Sequence, residues 1–331
     1  MKITVIGGSG FIGSNLCSLL EESGIGFEII DKKPSAFFSD KVKIIDIRNL
    51  NKLRETLDFC DVVINLAAEH RDDVTPKSLY DEVNVEGSRN IISVCKEKNI
   101  KHIIFTSSVA VYGFAPPNTD ESGEINYFND YGRTKWEAEK LYREWYEENP
   151  VERTLTIIRP TVVFGERNRG NVYNLLKQIA YGIFPMIGTG TNVKSMAYVE
   201  NVASFILYMA QHGKGYQLFN YVDKPDFTMN DLVLTVKRIL GRKATTGIHW
   251  PYWLGFTGGL FFDFIANLTG KKLPISSIRI KKFCATTQFE TSIYKKTSFK
   301  PPVTLEEGLK RTIEFEFLNN KTNADVLFFS E

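Results

Sequence analysis

Lys2-Ile3-Thr4-Val5-Ile6-Gly7-Gly8-Ser9-Gly10-Phe11-Ile12-Gly13 decides the architecture of this chain. Lys2 to Ile6 is a short β-branched, apolar run, and Gly13 to Glu22 continues with helical periodicity. Between them the glycines fall at GxxGxxG spacing. Glycine allows a positive φ in the turn, lets backbone approach a pyrophosphate, and leaves that anion at a helix N-terminus, where free N–H groups and the dipole favour it. Glycines alone mark any tight turn; in a strand-turn-helix context they predict dinucleotide binding, with Gly7, Gly10, Phe11, Ile12 and Gly13 against the cofactor.

Working outward, further β-rich runs lie at Phe27 to Ile30, Val42 to Ile45, Asp61 to Leu66, His102 to Thr106 and Leu155 to Ile158. Helix-length segments such as Ser78 to Lys98 separate them. This alternation predicts an α/β fold with a doubly wound parallel sheet of the Rossmann type. After about residue 165 the alternation fades. We therefore expect an NAD-binding domain over 1–165, with later segments returning to it, and a smaller C-terminal substrate lobe over 166–331.

The 331 residues, 43% hydrophobic and 24% charged, exclude a stapled mini-scaffold and wholesale disorder. A net charge of +2 argues against a nucleic-acid partner. Locally the balance differs: Lys271 to Lys300 holds eight basic residues and one acid, Glu290, a net +7. Cys17, Cys60, Cys95 and Cys284 lack metal-ligand spacing and read as reduced packing residues, and no metal is expected. Met1 and Lys2 lead directly into the first strand, leaving no room for a signal peptide, so a cytoplasmic location is expected.

Asp31 ends the second strand, where a carboxylate accepts hydrogen bonds from the adenosine ribose and disfavours a 2′-phosphate, so NAD is expected. The adjacent Lys32 and Lys33 keep NADP open. Asp46 and Ile47 are placed to meet the adenine, and Leu66, Ala67 and Ala68 end the fourth strand with room for the cofactor. Tyr131 and Lys135 stand at i, i+4 on one helix face, 23 residues after Ser108. Tyr173 and Lys177 share that spacing but lie in a run read as a surface face. A nearby ammonium and a positive nicotinamide would stabilise the Tyr131 phenolate, Lys135 would also hold the nicotinamide ribose, and Ser108 would orient the reacting oxygen.

These residues, with Arg159-Pro160 and Tyr198 to Val202, resemble the extended short-chain dehydrogenase/reductase family over essentially the whole chain. The resemblance implies NAD-dependent remodelling of an activated sugar, with Ser108, Tyr131 and Lys135 catalytic and Asn84, Pro160 and Val163 at the cofactor. It also implies a homodimer through the helices around Ser78 to Lys98 and Asp130 to Glu148. Val109 and Ala110 replace the acids that dehydratases of the family use, which leaves 4-epimerisation through a keto sugar. His70, Arg167, Arg169, Asn171, Lys194 and Arg279 are candidate substrate contacts, the cations for a diphosphate; each charge also reads as a solvated loop residue.

Ala67 to Val74, Glu166 to Ala180, Asn220 to Asp226 and Lys281 to Phe289 resemble the branch of the family acting on GlcNAc carried by undecaprenyl diphosphate, for O-antigen or related glycan synthesis. A soluble UDP-hexose 4-epimerase and a non-catalytic NAD-binding scaffold are the alternatives. Trp250 to Leu268 holds seven aromatics and one charge, Asp263. On a helix its apolar stripe, followed by the basic stretch, suits peripheral contact with the inner face of the cell membrane; a packed helix pair or dimer face is the other reading.

Overall fold

The computed structural model describes residues 1–71, 74–269, 277–319 and 326–329. Strands β1 (Lys2–Ile6), β2 (Gly26–Asp31), β3 (Val42–Ile44), β4 (Val62–Asn65), β5 (His102–Thr106) and β6 (Thr154–Pro160) form at the expected β-branched runs. Helices α1 (Phe11–Glu22) and α2 (Leu50–Thr56) follow β1 and β3. After β4 come α3 (Ser78–Tyr80), a π-turn (Asp81–Glu86) and α4 (Gly87–Glu97), and α5 (Asp130–Glu147) precedes β6.

The C-terminal half adds β7 (Val162–Phe164), α6 (Asn171–Ala180), β8 (Met186–Ile187), β9 (Val193–Tyr198), α7 (Val199–His212), β10 (Tyr216–Tyr221), β11 (Asp223–Thr228) and α8 (Met229–Ile239). Beyond these lie β12 (His249–Trp250), α9 (Tyr252–Thr269), α10 (Ser277–Cys284), α11 (Ile293–Lys296) and α12 (Leu305–Ile313).

Seven strands make one parallel sheet in the order β10-β6-β5-β4-β1-β2-β3. The central strands are nearly continuous apolar runs because both faces are covered. One face packs Leu16, Leu20, Phe205 and Ile206 of α1 and α7. The other packs Leu53, Ile91, Ala138, Tyr142 and Trp145 of α2, α4 and α5. The strand order reverses between β1 and β4, so the crevice for a ligand opens at their carboxyl ends. β10 at one edge shows the chain returning to the main sheet after β9. A three-stranded sheet, β11-β9-β7, and a β12-β8 pair stand apart from it, with α6, α8 and α12 over a third core cluster around Leu176, Leu232 and Leu309.

An ion pair lies inside this packing. Arg159 on β6, 1% exposed, donates to both Glu139 carboxylate oxygens at 2.8 and 2.6 Å and to the Tyr112 hydroxyl at 2.5 Å. Tyr112 in turn donates to Asn220 of β10. The network ties α5 to the strand pair β6-β10. Removing one partner strands a buried charge, so Glu139→Ala is expected to cost about 3–5 kcal/mol, read from the midpoint of urea unfolding.

Candidate active site

The glycine turn is shaped by two close approaches. Gly7 has φ +82°, and a Cβ there would lie 2.6 Å from the Ala67 nitrogen. A Cβ on Gly13 would lie 2.5 Å from the Gly7 carbonyl oxygen. Gly10 caps α1 without a side chain, leaving the first-turn N–H groups at Phe11, Ile12 and Gly13 open towards the crevice. The Phe11 ring faces Phe328, 5.7 Å between centroids.

Asp31 closes the other side. Its carboxylate accepts from the backbone N–H groups of Ser9 and Lys33, both at 3.0 Å, so it is fixed against the turn. Asp46 is held by Arg48, whose guanidinium keeps its carboxyl below the usual range. The Ile47 side chain, 5% exposed, packs against Gly87. Leu66 and Ala68 are half-buried, and the Ala67 N–H donates to the Asn65 side chain. Asn84 is buried with its amide already engaged: it accepts from the Glu69 N–H and donates to the Glu69 carbonyl and the Thr134 hydroxyl. It braces the loop after β4 against α5, a role the sequence did not announce. Pro160 ends β6, buried; Val163 on β7 is half-buried against two core clusters.

Ser108 ends the extended chain after β5, and its hydroxyl accepts from the Ala110 N–H at 3.1 Å. Asn129 caps α5 by accepting from the Gly132 N–H, which sets Tyr131 and Lys135 in the first turns of that helix. Gly132 permits this docking, since a Cβ there would sit 2.4 Å from the Ala110 carbonyl oxygen. The Ser108 side chain stands close enough to the Tyr131 hydroxyl to favour its ionised form. Lys135 is 2% exposed; its ammonium donates to the Thr106 carbonyl at 2.6 Å and lies 4.6 Å from the centre of the Phe105 ring. Ser107 beside them has a buried hydroxyl with no hydrogen-bond partner among the described residues, as expected where a bound group completes the polar surface.

Burial pushes the Tyr131 hydroxyl up to about 12, with the Ser108 side chain acting in the opposite direction. Lys135 is itself desolvated, which lowers it to about 7 although Glu139, one turn along, favours the charge. At neutral pH the ammonium is therefore only part-populated.

Tyr173 and Lys177 stand together on α6, but the Tyr173 ring stacks on Phe317 and under Arg169. Among the candidate substrate contacts, His70 is exposed after β4 and Asn171 opens α6. Arg169 pairs with Glu316 at 2.8 Å, and the Arg167 N–H donates to the same carboxylate. The Arg167 carbonyl and Arg169 N–H are bonded in turn to the backbone of Phe328. Both arginines thus take part in seating the chain's last described segment. The Lys194 ammonium donates to the Ala285 carbonyl at 2.6 Å, and burial lowers it to about 8. The side chain of Arg279, on α10, lies outside the described residues. No group of metal-ligating side chains occurs among the described residues.

Residues 3–221 match the model of the NAD dependent epimerase/dehydratase family. The chain belongs to this family. Similar relatives include an N-acetyl-alpha-D-glucosaminyl-diphospho-ditrans,octacis-undecaprenol 4-epimerase of Escherichia coli O157:H7, 51% identical over 100% of this chain and 99% of the relative. A UDP-glucose 4-epimerase of Vibrio cholerae is 28% identical over 97% of each. Among solved structures, a UDP-glucose 4-epimerase of Thermotoga maritima superposes with a TM-score of 0.73 at 22% identity, over 95% of this chain and 98% of that one, a likeness of fold. The glycine cradle, the fixed Asp31 and the orphaned Ser107 hydroxyl all fit the dinucleotide of an NAD-dependent epimerase/dehydratase.

A Lys135 lowered to about 7 makes a pH prediction. From there to the ordinary lysine value the unfolded chain binds the proton that the folded one sheds, so stability rises with pH through that window. Replacement by methionine removes the effect. The stability difference, Lys135→Met minus wild type, should fall from about pH 6 to about pH 10, followed by urea unfolding across that range.

Proposed function

We propose that this chain interconverts GlcNAc-diphospho-undecaprenol and GalNAc-diphospho-undecaprenol, an epimerisation at C4. The observation that carries the substrate is the 51% identity, end to end, with the relative bearing that activity in its name, against 28% for the UDP-glucose epimerase. The geometry supports the chemistry: a phenol, a hydroxyl and a buried amine meet at the carboxyl edge of the sheet, beside a cradle for a dinucleotide.

NAD would be held by the backbone of Gly7 to Gly13, by Asp31 at the adenosine ribose, and by Lys135 at the other ribose. When bound, it supplies an acceptor, and then a donor, for the hydrogen on C4. The residues handle the proton and the pose. Ser108 would hold the C4 oxygen by hydrogen bonding while Tyr131 takes its proton, leaving a 4-keto sugar; Tyr131 returns that proton after the sugar has turned its other face. A phenol pushed up to about 12 is a poor base by itself. A cationic partner must bring it down, and the retained proton on Lys135 is the group in this chain able to do so. Val109 and Ala110 in the turn after Ser108 offer no acid for elimination. The main sheet is the cofactor unit in this reading, and the remainder binds substrate through Lys194 and the Arg167–Asn171 loop.

The lipid carrier gives α9 a use. Trp253, Leu260, Phe261, Phe264 and Leu268 are exposed. The opposite side faces the protein: Gly255 abuts Ile187, Gly259 abuts Ser277, and Asp263 accepts from the Ser277 N–H. No described helix is long and apolar enough to cross a membrane. An aromatic face beside a basic segment fits peripheral attachment to an anionic bilayer from the cytoplasmic side. The helices read as a dimer face, within 78–98 and 130–148, carry none of the large exposed hydrophobics among the described residues.

Incubation with GlcNAc-diphospho-undecaprenol should yield the GalNAc product, separated after mild acid release, and Tyr131→Phe should lower the rate by about 10²–10⁴. Turnover of UDP-GlcNAc alone would instead assign the soluble reaction. In a vesicle flotation assay, replacing Phe261 and Phe264 by serine should reduce recovery with anionic liposomes while leaving catalysis on detergent-dispersed substrate intact.

A further inference from the structure

Strand β1 lies between β4 and β2, so the chain leaving β4 and the chain leaving β2 flank the glycine turn from opposite sides. Across that turn the Lys32 ammonium meets the Glu69 carboxylate. Glu69 is delivered there by a braced loop: its backbone N–H and carbonyl are both bonded to the side chain of Asn84, at 2.8 and 2.9 Å. Asn84 is 2% exposed and tied to Thr134 of α5. Lys32 follows Asp31, whose two carboxylate oxygens are fixed by backbone N–H groups. The pair is too open to water to matter much for folding, with Lys32 about half exposed. Its position is the informative feature.

In doubly wound folds the end of the second strand meets the adenosine ribose, and a basic side chain there accommodates a 2′-phosphate. Lys32 is such a side chain, and a carboxylate from another strand holds it. We propose that the Lys32–Glu69 ion pair selects the dinucleotide: Glu69 engages the cation next to Asp31, so a 2′-phosphate meets a carboxylate with its nearest counter-charge already taken, and the chain takes NAD in preference to NADP. This rests on the placement of the dinucleotide at the glycine turn. The other charges at this corner are Lys33, which leaves the selection graded, and Asp46, which is paired with Arg48.

The test is binding, read without turnover. NADH and NADPH are titrated separately into the full-length chain, stripped of retained nucleotide, with nicotinamide fluorescence as the signal. Glu69→Gln frees Lys32 and should tighten NADPH by about three- to tenfold while NADH moves less than about twofold, as expected for one partly exposed charge. Adding Lys32→Gln to Glu69→Gln should abolish the gain. An unchanged NADPH affinity in Glu69→Gln, equal shifts for both nucleotides, or a gain that survives loss of Lys32 would each overturn the assignment. If wild type binds neither nucleotide, the cofactor reading falls and this one with it. If Glu69→Gln fails to fold, Glu69→Ala serves instead, with the same gain expected for NADPH and an unchanged NADPH affinity overturning the proposal.

Discussion

Backbone must touch backbone at the glycine turn, and that constraint organises the molecule. Gly13 brings the start of α1 onto Gly7 and Gly8, and Gly7 brings the turn onto the Ala67 nitrogen beyond β4. At both places a single methyl group would intrude to well below van der Waals contact. The close approach draws the ends of β1, β2 and β4 into one crevice rim, with the open first turn of α1 facing into it. Gly132 repeats the device at the other end of the site, letting α5 settle on the Ala110 carbonyl so that Tyr131 reaches Ser108. Tyr131, Ser108 and the open first turn of α1 are positioned by missing side chains as much as by present ones.

The low polarity this packing creates sets the chemistry. Tyr131 and Lys135 are both driven towards their neutral forms, which moves one up and the other down. The buried Arg159–Glu139 pair shows the contrasting solution, in which charges are kept by satisfying one another.

Much of the architecture was legible in the sequence because its signals are local. Short β-branched, apolar runs marked six strands of the main sheet, and the glycines and Asp31 marked its crevice. The seventh strand, β10, was not read, since it lies beyond residue 165, where the regular alternation fades, and its partner β6 lies some sixty residues upstream. The Ser108, Tyr131 and Lys135 set was read from spacing and position; the structure puts Ser108 at the end of the chain leaving β5 and the other two on the first turns of α5. At other positions the structure adds partners that the sequence did not give: Asp46 pairs with Arg48, the Ile47 side chain is packed in the core, and the Asn84 amide bonds to Glu69 and Thr134. Residue type gives capacity for a contact, and only the tertiary arrangement shows which partner consumes it. The aromatic stripe of α9 was legible as periodicity, and its outward direction became visible when Gly255 and Gly259 were seen to face the protein. The pairing of Arg167 to Arg169 with Phe328 joins positions too distant in sequence for any local pattern to announce.

The crowding at Gly7 and Gly13 leaves the turn no volume for variation. Substitution can change what borders it, on the chain leaving β2 or β4, but cannot furnish it with a side chain of its own. Divergence among proteins built this way is therefore channelled to the rim, and an engineer wishing to alter what the crevice accepts has the same few positions to work with.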